Sequence, residues 1–100
     1  MKTEYEIYMD FRRAMDQANR LKTIANNMSN LANDSMMSSL NAIRSSWSGE
    51  NAEAFLNKGQ SIQNRIELTA GDLYKVANAI ITIAERTRDA ELAAIAIAKE

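Results

Sequence analysis

Ser45-Ser46-Trp47-Ser48-Gly49-Glu50-Asn51 lies at the middle of a chain of 100 residues and decides how the rest is read. Gly49 supplies a backbone conformation that other residues reach only at a cost. Ser48 or Asn51 is placed to cap a following helix, and Glu50 and Glu53 put negative charge near its positive end. The stretch predicts a tight turn over residues 47–50, between a first helix at about 5–46 and a second at about 51–98. So short a link makes the two helices antiparallel neighbours, giving one helical-hairpin domain over residues 1–100.

Working outward, both halves carry helical spacing. Ile7, Phe11, Ala14, Ala18, Leu21, Ala25, Met28 and Ala32 alternate in steps of four and three, the seam of a helix laid along a partner. Met36, Leu40, Ile43 and Trp47 continue it as a slightly shifted stripe. Asn33-Asp34-Ser35 could be a loop that splits this half in two, but no Gly or Pro marks a break. After the turn, Phe55, Gly59, Ile62, Ile66, Thr69, Leu73, Val76, Ile80, Ile83 and Thr87 keep the four-three alternation, as in coiled-coil packing. Gly59 falls on this predicted seam, where two helices could approach closely. Gly71 falls off it and only weakens the helix, by about 1 kcal/mol relative to Ala.

Composition excludes several functions. The chain has no Pro and three Gly, so helices run uninterrupted and the fold class is all-α. It has no Cys and no His, which removes thiolate chemistry, imidazole bases and the usual metal ligands. The carboxylates are scattered singly, so no catalytic residues, metal site or cofactor are expected, and the chain reads as a non-enzyme. The net charge is -1 with no basic cluster, which argues against nucleic-acid binding. Met1-Lys2-Thr3-Glu4-Tyr5-Glu6 lacks the basic and apolar regions of a cleavable signal peptide. Ala90 to Ala98 is too short to span a bilayer. Export would need a route that ignores such signals.

The apolar stripes are broader than one seam. Met15, Leu31, Met37, Leu56, Leu68, Ala77, Ile81 and Ala84 lie beside the predicted core positions. This fits either a generous hairpin core or pairing of two hairpins into a four-helix bundle dimer, and the dimer is the favoured expectation. Phe11, Leu21, Met28, Leu40, Ile43, Phe55, Gly59, Ile62, Ile66, Leu73, Val76, Ile80 and Ile83 are the candidate residues of that dimer or hairpin interface. Helix one is expected to begin no earlier than about Tyr5, because chain ends fray. Leu92, Ile95 and Ile97 would then lie at or beyond the end of the hairpin, in an Ala-rich helix that either docks in a groove on another protein or packs on a second protomer.

A chain of this length with Trp47-Ser48-Gly49 in the turn of a helical hairpin, followed by Glu50-Asn51-Ala52 and Phe55, resembles the WXG family of type VII (ESX or Ess) secretion. The resemblance implies secretion from a bacterial cytoplasm as a folded dimer, without a cleavable signal peptide. A membrane ATPase would recognise the turn together with a C-terminal signal of the partner protomer, and the membrane would be met only through that machinery. Trp47, Ser48 and Gly49 would then form the secretion motif; alternatively Trp47 caps the core and Gly49 only makes the turn. Actinobacterial members carry a Tyr with Asp or Glu four positions later. Here Tyr5, Tyr8 and Tyr74 are followed at that spacing by Met9, Arg12 and Asn78, so the resemblance points to Firmicutes-type, Gram-positive members. Glu85, Asp89, Glu91, Leu92 and Ile95 are the candidate export signal, with a solvated helix face as the other reading of the acids. The expected partners are a second copy, a related helical protein or the N-terminal domain of a large toxin, and the secretion ATPase. A cytoplasmic coiled-coil adaptor is the alternative from another class. A membrane-lytic helix ranks below it, for want of a Lys/Arg-rich polar face.

Overall fold

The computed structural model describes all residues, 1–100. It is 92% helical with no strand, and the fold is an all-α helical hairpin. The order is α1 (Glu4–Asn30), a π-helical turn (Leu31–Met36), α2 (Met37–Ser46) and α3 (Glu50–Ala98). The first three run on without a break, so Asn33-Asp34-Ser35 is a widened helical turn and not a loop.

The π turn explains the shifted stripe. An uninterrupted α-helix would carry the seam from Ala32 to Ser35, Ser39, Ala42 and Ser46, burying three hydroxyls. One extra residue per turn moves it to Met36, Leu40 and Ile43 instead. Leu40 is buried and the other two are half-buried, so the surplus residue keeps the apolar side chains inward.

The chain forms two compact units. A terminal unit comprises Met1–Lys22 with Tyr74–Glu100, and a turn unit comprises Thr23–Leu73. In the terminal unit the buried residues are Ile7, Ala18, Ala77, Ala84 and Ile95. In the turn unit they are Ala25, Ala32, Leu40, Ala52, Leu56, Ala70 and Gln63. Both interiors are therefore mostly alanine.

The α1 half of the seam is as the sequence predicts, every member from Ile7 to Ala32 being buried or half-buried. The α3 half is not. Its buried row is Leu56, Gln63, Ala70, Ala77 and Ala84, one residue on from the predicted Phe55, Ile62, Thr69, Val76 and Ile83, all of which are exposed. Gly59, Ile66, Leu73 and Ile80 remain half-buried beside it. Small residues face the partner helix because they let two backbones approach, and the larger side chains turn outward. Gly59 is such a point: a Cβ built there would lie 2.6 Å from Leu40 Cδ2. Gly71 has nothing within 4 Å, as its off-seam position implies.

Gln63 occupies a seam position with a polar side chain, and its Nε2 donates to the Ala32 carbonyl at 2.9 Å. That carbonyl lies in the π turn, and the amide supplies it with a partner in the interior. Every buried side-chain polar atom in the chain is satisfied.

The helix ends fall where the sequence puts them, but the packing around them differs from expectation. Thr3 and Glu6 form a capping box: Glu6 N–H donates to Thr3 Oγ1 at 3.1 Å, and Thr3 N–H to Glu6 Oε1 at 3.4 Å. This fixes the helix start at Glu4. Ile95 is buried, so the tail does not run past the hairpin; Leu92 is half-buried and Ile97 exposed.

Candidate interaction surfaces

The turn is built by backbone chemistry first. Ser45 and Ser46 hydroxyls both donate to the Ala42 carbonyl, and Trp47 N–H donates to the Ile43 carbonyl at 2.8 Å. These bonds use up acceptors at the end of α2. Trp47 then leaves the helix in an extended conformation (φ −136°, ψ 135°). Gly49 takes φ 106°, which side-chain-bearing residues rarely adopt. Its carbonyl accepts the first α3 bond, from Glu53 N–H at 3.1 Å, so Gly49 holds the N-cap position. Asn51 lies within the first turn of α3 and is not its cap. Glu50 and Glu53 sit in that first turn, where acid is favoured.

Trp47 is 47% exposed and its ring lies 5.9 Å from that of Phe55, tilted by 55°. Phe55 is thus a neighbour of Trp47, not a member of the hairpin core. The two rings pack at a tilt while each side chain stays about half exposed. Beside it runs an apolar groove walled by Leu31, Ile43, Phe55 and Ile62 and floored by Leu40 and Gly59.

In the terminal unit, Val76 and Ile83 are exposed, at 51% and 63%. Ile83 borders a groove with Phe11, Ala14 and Ile80. Its volume, about 270 Å³, falls short of the ~300–1,000 Å³ usual for small-molecule sites. It is the size of a slot for a side chain of another helix. The Arg88 guanidinium lies 4.4 Å over the Phe11 ring, and Lys22 lies 5.3 Å over the Tyr74 ring.

The candidate interface residues therefore separate into groups. Leu40 is fully inside; Phe11, Leu21, Met28, Ile43, Gly59, Ile66, Leu73 and Ile80 are half-buried; Phe55, Ile62, Val76 and Ile83 stand outside. The tail residues separate as well. Glu85 and Asp89 are exposed, whereas Glu91 is paired with Lys2 at 3.0 Å and Ile95 is buried. Lys2 also reaches Asp10 at 2.9 Å. The hydrogen bonds that Lys2 donates to Asp10 and Glu91 raise its pKa, and the bond from Lys2 holds the pKa of Asp10 below its ordinary value.

Two of these features escaped the sequence reading. The Thr3-x-x-Glu6 spacing is a legible capping-box signature. Gln63 in the α3 seam carried a weaker signal, a polar residue one seven-residue step ahead of the row Ala70, Ala77 and Ala84. No group of three or more acidic residues is placed to hold a metal ion, and no helix is long and apolar enough to cross a membrane. Comparison with known proteins returns no match, whether to a family model, a curated sequence or a solved structure.

Proposed function

We propose that the chain is a non-enzymatic helical protein exported by a type VII secretion system, or a partner co-exported with another substrate, and that it acts as a dimer. The observation that carries this reading is the turn. Trp47 is presented at the hairpin tip, half exposed and propped by Phe55, in a turn that requires the positive φ of Gly49. A purely structural tryptophan would be expected to bury more of its ring.

Dimerisation is supported by the outward apolar row on α3. Phe55, Ile62, Val76 and Ile83 fall at seven-residue intervals that are symmetric about Thr69. A second α3 running antiparallel would set Phe55 against Ile83 and Ile62 against Val76, with Thr69 meeting its own copy. Such self-complementarity is what a two-fold interface needs.

Two measurements test the proposal. Light scattering at micromolar concentration should give twice the 11.2 kDa of one chain. Trp47→Ala should keep the helical circular dichroism yet vanish from the culture supernatant of the source bacterium, as the unaltered chain should when the secretion ATPase is deleted. Continued export of Trp47→Ala at the unaltered level would refute the role of the turn.

A second reading, pairing with the helical domain of a larger secreted toxin, is favoured by the state of the tail. With Glu91 paired to Lys2 at the surface and Ile95 buried, Glu85 and Asp89 are the exposed acids of the candidate signal. A larger partner would then supply the rest. A monomeric chain that becomes a defined complex when co-expressed with its flanking genes supports this branch over the homodimer.

A further inference from the structure

We infer that Met1 and Lys2, ahead of the Thr3 cap, form an ionic strap that lies along part of the C-terminal helix and can release it. Three observations converge within the terminal unit. Lys2 Nζ bridges Asp10 of α1 and Glu91 of α3, at 2.9 and 3.0 Å. Ile95, one turn beyond Glu91, is 9% exposed and borders the same shallow cleft as Met1, Lys2, Thr3 and Glu4. Lys99 reaches back to Glu4 at 3.5 Å. Residues 1–4 thus lie beside the Glu91–Lys99 stretch, sharing one cleft with it and joined to it by the Lys2–Glu91 and Glu4–Lys99 ion pairs.

The hold is weak by construction. Lys2 and Asp10 keep more than two-fifths of their side-chain surface in water. Exposed pairs of this kind contribute little and are screened by salt. Meanwhile the Thr3–Glu6 capping box anchors Thr3 and starts the helix at Glu4, so Met1 and Lys2 can swing away without melting α1. Opening frees the Glu91 carboxylate and widens the cleft that Ile95 borders. Glu91 and Ile95 are the covered portion of the candidate export signal, so a strap of this kind would set how much of the tail a partner can reach. The strap itself is independent of the export reading and is tested without it.

The test is amide hydrogen exchange, resolved by residue, on the whole chain. Lys2→Ala should speed exchange of the amides from Glu91 to Ala98 several-fold while leaving those from Leu56 to Ala70 unchanged. In the unaltered chain, raising salt from low to high concentration should speed the same tail amides, and Lys2→Ala should weaken that salt response, leaving what the Lys99–Glu4 pair supplies. Lys2→Arg should restore it. Tail amides that ignore Lys2→Ala, or a salt response undiminished without Lys2, would overturn the strap whatever the export assay shows. Equal acceleration throughout α3 would also overturn it, since that is global loosening.

Discussion

The turn unit and the terminal unit share an alanine interior, yet they are closed by opposite means. In the turn unit the helices are joined through Trp47–Gly49 and fastened by the buried Gln63 amide on the Ala32 carbonyl. In the terminal unit the chain ends are fastened by Lys2, Glu91, Lys99 and Glu4 at the surface. A hydrogen bond in the interior is costly to lose because water cannot replace it. Surface pairs are exchanged for water at little cost. The same fold thus has one end that resists solution conditions and one that answers to them.

The largest expected effect tests whether the terminal unit depends on its one large, fully buried anchor. Ile7→Ala should lower unfolding free energy by about 2–5 kcal/mol in denaturant titration, as for other buried Ile truncations. A loss under about 1 kcal/mol would mean the end is held by its ion pairs after all. Next, Gln63→Leu should cost about 1–3 kcal/mol by stranding the Ala32 carbonyl. Thermal melts at low and high salt should show the same loss, because the contact is buried.

A comparison of neighbours sharpens the register of the seam. Ala77→Leu should destabilise by about 1–3 kcal/mol through overpacking, whereas Val76→Leu, on the exposed row, should stay within about 0.5 kcal/mol. The reverse order of effects would place the seam where the sequence alone suggested. Smaller still, Gly71→Ala should stabilise by about 1 kcal/mol in denaturant midpoint, since nothing crowds its Cβ. Gly59→Ala should gain less, because Leu40 has to shift to admit the new methyl group.

The least stability change, and the most selective, belongs to pH. Asp10 has a lowered pKa, so its contribution is present above its ordinary value and lost as pH falls through the depressed one. Lys2 has a raised pKa, so its contribution holds below its ordinary value and is lost as pH rises through the raised one. Protection factors of the amides from Glu91 to Ala98 should therefore plateau between these limits and drop in strong acid before those from Leu56 to Ala70. A uniform drop would erase the distinction between the two ends.

Much of this was legible beforehand. The turn, both helix spans and the α1 seam follow from Gly49 and from a four-three pattern written in residues that stand out against polar neighbours. The α3 seam was misread because bulk is a poor guide to which row faces inward. Phe55, Ile62, Val76 and Ile83 outweigh Ala70, Ala77 and Ala84 on any hydropathy count, yet close helix contact selects the smaller set. The tail was misread for a different reason: Thr3 and Glu6 begin α1 early enough for Lys2 to meet Glu91. Trp47 was legible as a turn residue, but its packing on Phe55 depends on the register that the sequence left one residue out.

The π turn at Leu31–Met36 works as a phase adjustment. It adds a residue without adding a loop, so everything after it in the turn unit is advanced by about 100° around the helix axis. Trp47 inherits that advance. Straightening the segment into an ordinary α-helix without removing a residue would bring polar Ser39 and Ser46 into the positions that Leu40 and Trp47 now hold, whereas deleting one residue would keep Leu40 and Trp47 in phase. A surplus residue in mid-helix thus sets the compass bearing of the tryptophan eleven positions further on.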